Sequence, residues 1–464
     1  MAAEDHVVRH GLENEQLIAP VKRDATRLSP IVPVHTLYVC YFGLREPLVQ
    51  TQVLPYLRQL VSAGLQVSLL TFEPRLRQAW SIQEIADQRA SLESEGIGWK
   101  ALPYHKWPSL PATLYDIARG TWEIVQLMNR ENVTVLHARN HVPALMSALA
   151  KKVKGGRLVF DIRGFMPEEY TDAGVWPQDG YLYRSLKRVE RYLLSVSDAF
   201  VVLTEKAREI VFPGSLDHDA LGRPLEVIPC CVDFQRFETV AGISREALRA
   251  ELGAGGRRVI IYVGSFGGWY MTDEMTEFLA VAHQQDPSTF SMILTQSSHE
   301  SVVNRMRDLG IDTKDFLVAK VNPAEVPRYL RAADIAISFI KPCYSKQSSS
   351  PTKIAEYMAS GLPTVCNAGI GDLDKLIEEN GVGVLLREFN PAAYVKALGE
   401  IDTLRRDEGF SDHVRQVARR EFDLASVGRT RYLRLYQRLL NSAELFPVTP
   451  AAAQAIPSNL DRVV

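Results

Sequence analysis

The 464-residue chain has only five cysteines, Cys40, Cys230, Cys231, Cys343 and Cys366, and no CxxC pair among them. An odd, scattered set excludes a disulfide framework and fits a reduced, cytoplasmic protein. The adjacent Cys230 and Cys231 read as two small residues packed in a tight linker. There is no run of about 18 apolar residues, so no transmembrane helix is expected. The opening, MAAEDHVVRHGLENE, carries acidic residues and no apolar core, unlike a secretory signal. Charge is nearly balanced, with 53 Lys and Arg against 55 Asp and Glu and a net of −2. That balance gives no footprint for nucleic acid. The ten histidines form no Cys/His set of metal-ligand spacing, and no metal site is expected.

What is present is the material of a large globular protein. The composition is 46% hydrophobic and 23% charged. A chain of this length is too long for one ordinary core, so two domains are the natural expectation. Short β-branched runs alternate with amphipathic stretches. Strands are predicted at 36–41, 66–72, 133–137, 157–160 and 199–203. The pattern then restarts, with strands at 257–263, 290–294, 316–320, 335–339 and 363–366. Strands separated by helices imply parallel pairing through right-handed crossovers. Near-continuous apolar strands such as RRVIIYV belong in a sheet covered on both faces. The fold class is therefore α/β, with two Rossmann-like domains facing a central cleft. The division runs as an N-terminal extension (1–34), a first domain (35–230), a second domain (231–425), a C-terminal helix (426–445) and a tail (446–464).

Ligands in such sheets bind beyond the carboxyl ends of the strands. Four charged or polar residues stand there in the first domain, His137 and Arg139 in HARNH and Asp161 and Arg163 in DIRG, and they are the candidate catalytic residues. A structural role is open for each: His137 as a hydrogen-bonding histidine, and Asp161 with Arg163 as an ion pair bracing a loop. In the second domain, Gly264, Ser265 and Gly267 lie in GSFGGWY, where glycines let backbone approach a ligand. The run SSSPTKIAEYMASGLPTV (348–365) places Ser348, Ser350 and Thr352 before or at the opening of a helix, with Pro351 suited to its first turn. Free amides and the helix dipole there would suit a diphosphate. Lys353 would add a point charge, and Glu356 lies one turn further in.

This motif and the order of elements resemble the retaining family-four glycosyltransferases of the GT-B fold, over roughly residues 36–440. The resemblance implies transfer of a sugar from a nucleotide-diphosphate sugar, with UDP the expected nucleotide, to an acceptor hydroxyl with retention of configuration. It implies that Glu356 holds the ribose, that Gly43 in FGLREP approaches the donor phosphates, and that Val321 lies at the nucleobase. The DxRG arrangement resembles a branch acting on surface-polysaccharide precursors. The acceptor is then a sugar, a lipid-linked sugar or a small molecule, and peripheral contact with the inner face of a membrane stays open. One departure stands out: the family's second carboxylate, eight positions before Glu356, is replaced by Ser348. Two other readings remain, a nucleotide-sugar epimerase on the same fold and a non-catalytic nucleotide-sugar-binding relative.

Overall fold

The structure, a computed structural model, describes residues 34–440. The expected tail, and the expected extension up to residue 33, lie outside the described residues. The first sheet holds β1 (His35–Cys40), β2 (Gln66–Pro74), β3 (Ile97–Tyr104), β4 (Val135–Arg139), β5 (Arg157–Ile162), β6 (Ala199–Val202) and β7 (Leu225–Val227), in the order β3-β2-β1-β4-β5-β6-β7. The second holds β8 (Arg258–Val263), β9 (Thr289–Leu294), β10 (Phe316–Ala319), β11 (Ile335–Ser338), β12 (Thr364–Asn367) and β13 (Gly383–Leu386), in the order β10-β9-β8-β11-β12-β13. Every pairing within both sheets is parallel. Helices cover both faces, and two buried apolar clusters flank each sheet. The expected doubly covered α/β halves are therefore present.

Two strands were not expected, β3 and β13. Each is an edge of its sheet. β3 contains Gly98, Lys100 and Pro103, which interrupt any apolar run. Pro103 is tolerated because the outer side of an edge needs no ladder partner. β7 and β13 are only three and four residues long.

After the second domain the chain returns to the first. Val232 bridges Asp423 in parallel, and a short turn leads into the helix Thr430–Leu440. Tyr432, Leu435, Tyr436 and Leu439 project every three to four residues from this helix. They bury in the same cluster as Tyr38, Val135 and Ile228. The positions on that face are aromatic or leucine, and the other face is arginine-rich, the pattern of a helix laid on a core. Arg434 clamps buried Glu226 through two hydrogen bonds of 2.5 and 2.6 Å. The C-terminal helix is thus a structural part of the first domain.

Candidate active site

In both sheets the strand order reverses once, between β1 and β4 and between β8 and β11. Loops leaving the sheet at such a reversal diverge to opposite faces and open a crevice. In the first domain these loops begin at Tyr41 and Asn140, and in the second at Gly264 and Phe339. The two loops of the second domain are laced together: Tyr270 bridges Ile340, and Met271 N donates to Phe339 O at 3.1 Å.

Lys353 lies at this crevice, on the helix Thr352–Ala359, and is buried. Its Nζ donates to Tyr262 Oη at 3.1 Å and sits 3.8 Å above the Tyr270 ring and 4.4 Å from the Tyr262 ring centroid. Tyr262 donates its own hydroxyl hydrogen bond to Ser265 O at 2.6 Å, so its oxygen is free to accept from the lysine. No carboxylate lies within ion-pair distance of Lys353 among the described residues. Burial lowers its pKa to about 7, and the charge of Glu356 only partly opposes that shift. An ammonium boxed by two aromatic faces and lacking a counter-ion is a receptor for an anion. Gly264 makes room for it. A Cβ at that position would collide with Lys353 Nζ, and the backbone φ of +147° is one that other residues rarely adopt.

Glu356, one turn along, meets Arg236 Nη1 at 3.2 Å. Burial pushes its carboxyl up from the ordinary value, opposed first by Arg236 and then by Lys353. Arg236 also donates to Pro323 O at 2.7 Å, which ties the chain linker to the segment after Val321. Val321 itself is buried, and its carbonyl accepts from Gln296 Nε2 at 3.1 Å. Beside them is a cavity of about 520 Å³ between the domains, with Arg45, Gln50 and Arg58 on one wall and Asp233, Arg236 and Asn322 on the other. Sequence reasoning did not single out Arg236. Its partner is 120 residues away, and no local spacing signals the pair.

The serine run takes up other work. Pro351 precedes the helix, and no side chain caps it. Ser348, only 2% exposed, accepts from Phe165 N at 3.2 Å and donates to Ser345 O at 2.7 Å. Ser350 Oγ accepts from Cys230 N at 3.0 Å. Around them Ser345 N donates to Asp172 at 2.8 Å, Lys346 pairs with Glu169 at 3.1 Å, and Thr204 Oγ1 donates to Gln347 O at 2.8 Å. Asp372, in the glycine-rich turn after β12, accepts from Glu205 N and Lys206 N at the start of the helix Glu205–Val211. Apart from the Ser348–Ser345 bond, these contacts join the second domain to the first or to the linker, and together they form a seam along one side of the cleft. Ser265 and Gly267 remain in the loop after Gly264, where Gly267 N donates to Thr272 Oγ1 at 2.8 Å.

On the first domain, Gly43 packs directly on buried Glu73 and Pro74, with a Cβ only 2.8 Å from either. Glu73 accepts from Leu44 N at 2.8 Å and Thr71 Oγ1 at 2.5 Å, and so fixes the loop after β1. His137, Arg139, Asp161 and Arg163 come together in one buried network. His137 Nδ1 lies 2.9 Å from Tyr436 Oη, and its Nε2 lies 3.5 Å from Asp161. Tyr432 donates to Asp161 at 3.2 Å, and Tyr38 donates to the same oxygen at 3.3 Å. Burial alone would raise the Asp161 pKa, but Arg163, His137 and Arg139 together draw it down to about 2. Burial lowers the pKa of His137, although Asp161 opposes that. Arg163 Nε stands 3.3 Å from Asp161, yet none of its three nitrogens makes an aligned hydrogen bond. His141 is tied to Asn140 at 2.8 Å and Glu190 at 3.2 Å.

Comparison with known proteins matches both halves of the chain and the fold. Residues 49–213 match the family described as glycosyl transferase 4-like domain, and residues 244–420 match glycosyl transferases group 1. The spore coat protein SA of Bacillus subtilis is 23% identical over 168 residues, 34% of this chain, and the chain spans 43% of that protein's length. A glycosyltransferase from Rickettsia africae superposes with a TM-score of 0.66 at 14% identity, covering 88% of this chain and 99% of its own. Anabaena Alr3699/HepE, solved with UDP and glucose, gives a TM-score of 0.61 at 13% identity, covering 86% and 99%. With both sheets matched in fold and both halves of the chain matched by family, the protein belongs to the glycosyltransferases of GT-B fold.

Proposed function

We propose that the protein transfers a sugar from a nucleotide-diphosphate sugar to an acceptor hydroxyl with retention of configuration, in polysaccharide or glycoconjugate synthesis. The observation that carries this reading is Lys353, a buried ammonium without a counter-ion beneath Gly264 and one turn from Glu356. In this account the donor diphosphate lies against Lys353 and the backbone at Gly264, Ser265 and Gly267, with the start of the Thr352–Ala359 helix beside it. Glu356, oriented by Arg236, holds the ribose hydroxyls, and the base lies by Val321. The Anabaena protein's complex with UDP and glucose supports UDP as the nucleotide here.

The bond from the sugar's anomeric carbon to the phosphate oxygen breaks as the acceptor oxygen bonds to the same face. The acceptor proton passes to a departing phosphate oxygen. The protein's part is to orient the reactants and to stabilise the leaving charge, which an unreorganised cation in a dry site does well. Arg163, buried and without aligned hydrogen bonds, is the first-domain group best fitted to face that charge. His137 and Asp161 position it from within the network. Ser348 serves the domain seam, which leaves the donor sugar to be gripped by other groups.

The test is a panel of nucleotide sugars and sugar acceptors, read by mass spectrometry for nucleoside diphosphate and product and by NMR for anomeric configuration. Retained linkage with released diphosphate is expected. Isomerised nucleotide sugar without acceptor would instead make the protein an epimerase. Nucleotide binding without turnover across the panel would make it a binding protein.

A further inference from the structure

A separate cavity lies at the far end of the helix that carries Lys353 and Glu356. It has a volume of about 220 Å³, and Phe234, Phe237 and Val240 line it from the linker between the domains. Pro327 and Arg331, one turn apart on the helix Val326–Ala332, also line it, as do Arg415 and Arg419. Phe234 and Phe237 are buried with their ring centroids 6.5 Å apart, so they form a fixed apolar floor.

The three arginines differ in what they already hold. Arg419 Nη2 donates to Glu238 at 2.6 Å, and its guanidinium lies 4.6 Å from the Phe234 ring centroid. Arg415 Nη2 donates to Asp412 at 2.5 Å. Arg331 makes no ion pair and no hydrogen bond among the described residues, although its Nε is buried. Arg331 also borders a polar hollow that contains Asp334. Asp334 cannot serve it, because that carboxylate already accepts from Arg245 at 2.8 Å, Arg249 at 2.6 Å and Arg405 at 2.5 Å. Asp407 and Glu408 of the same hollow are exposed and do not pair with Arg331. One positive charge is therefore left over above an aromatic floor. A bare anion would leave that floor unused, and an apolar ligand would leave the buried Nε unpaired. The pair of features calls for one ligand with both properties.

We infer that this cavity is a regulatory ligand site for a small aromatic monoanion, a carboxylate or sulfonate whose charge meets Arg331 and whose ring lies on Phe234, Phe237 and Pro327. Its place gives it a hold on the donor site. The short linker helix Gln235–Glu238 turns Phe237 to the cavity and Arg236 to Glu356, 3.2 Å away. The helix Thr352–Ala359 reaches the same cavity with Ala359 and Ser360. A ligand seated there clamps linker to helix and favours the arrangement in which Arg236 orients Glu356. Each site then strengthens the other, by the same factor in both directions. The coupling rests on the nucleotide reading of Glu356, whereas binding in the cavity stands on its own geometry.

Fluorescence titration of the full chain with anilinonaphthalene sulfonate tests the site, against phenylnaphthylamine, which has the same rings without the anion. Wild type should bind the sulfonate saturably, about tenfold or more tighter than the neutral amine. Arg331→Leu removes a side chain that has no partners, so its melting temperature should match wild type while its preference for the sulfonate falls to about twofold or less. Ala241→Phe, at an exposed turn position lining the cavity, should weaken both probes. Saturating UDP should tighten the sulfonate by about threefold or more, and the sulfonate should tighten UDP equally. Equal binding of the sulfonate by wild type and Arg331→Leu overturns the site. So does its displacement by UDP, which would seat the probe among the donor residues. Sulfonate and UDP that bind without affecting each other overturn the coupling. A protein that binds the sulfonate through Arg331 but binds no nucleotide upholds the site and refutes the donor reading instead.

Discussion

Replacing Lys353 by methionine keeps the length of the side chain and removes its charge. The folded lysine has a pKa of about 7 against an ordinary 10.5, because burial strips its hydration. Between those values the unfolded chain binds more protons than the folded one, so wild-type stability rises as pH climbs through that window. At neutral pH the buried ammonium then costs on the order of 4 kcal/mol. Lys353→Met should therefore melt at a higher temperature than wild type near neutral pH, and the difference should shrink toward pH 10 or so. Binding of a nucleoside diphosphate reverses the balance, because the anion restores the proton to the lysine. At about pH 8.5, calorimetry in buffers of different ionisation enthalpy should report uptake of nearly one proton by wild type and almost none by the variant. The variant should also bind the nucleotide about 2 kcal/mol more weakly, roughly 30-fold. Equal proton uptake by the two proteins, or none by wild type, would refute the assignment of Lys353 to the diphosphate.

Gly264→Ala should abolish the nucleotide response and cost about 1–3 kcal/mol in denaturant titration, since the new methyl meets Lys353 and the φ is unfavourable. Asp161→Ala should destabilise by about 3–5 kcal/mol, because it leaves buried Arg163 and Arg139 without their counter-ion. Asp161 has its pKa lowered from 3.8 to about 2, so its contribution is present above about pH 4 and lost as pH falls toward 2. Acid unfolding followed by circular dichroism checks this, and D161A should lack that component. Ser348→Ala leaves Phe165 N without its acceptor and should cost about 1–3 kcal/mol. It should also speed proteolysis at the domain seam while leaving nucleotide affinity close to wild type.

The central strands were legible because burial on both faces writes a continuous apolar run, as in RRVIIYV. The edges β3 and β13 were not, because a strand covered on one side needs no such run, and β3 tolerates Gly98, Lys100 and Pro103. The helix carrying Lys353 and Glu356 was legible from its motif. The hydrogen bonds of its serines were not, because their partners, Phe165 and Cys230, lie in distant segments. The same distance hid Arg236, whose pairing with Glu356 exists only once the linker folds over the second sheet. Spacing also gave no hint that Tyr432 and Tyr436 would reach His137 and Asp161, since the C-terminal helix crosses to the first domain. Local chemistry was readable wherever its partners are local, and tertiary polar pairs were not.

The proposed transfer requires a nucleotide seated against Lys353 and Glu356. Thermal unfolding with UDP, GDP, dTDP, ADP and CMP, on wild type and Glu356→Ala, tests that claim most directly. At least one nucleoside diphosphate should raise the wild-type melting temperature, by mass action on the folded state, and Glu356→Ala should lose the response. A wild-type melting temperature that no nucleotide moves, or a shift that survives intact in Glu356→Ala, would contradict it.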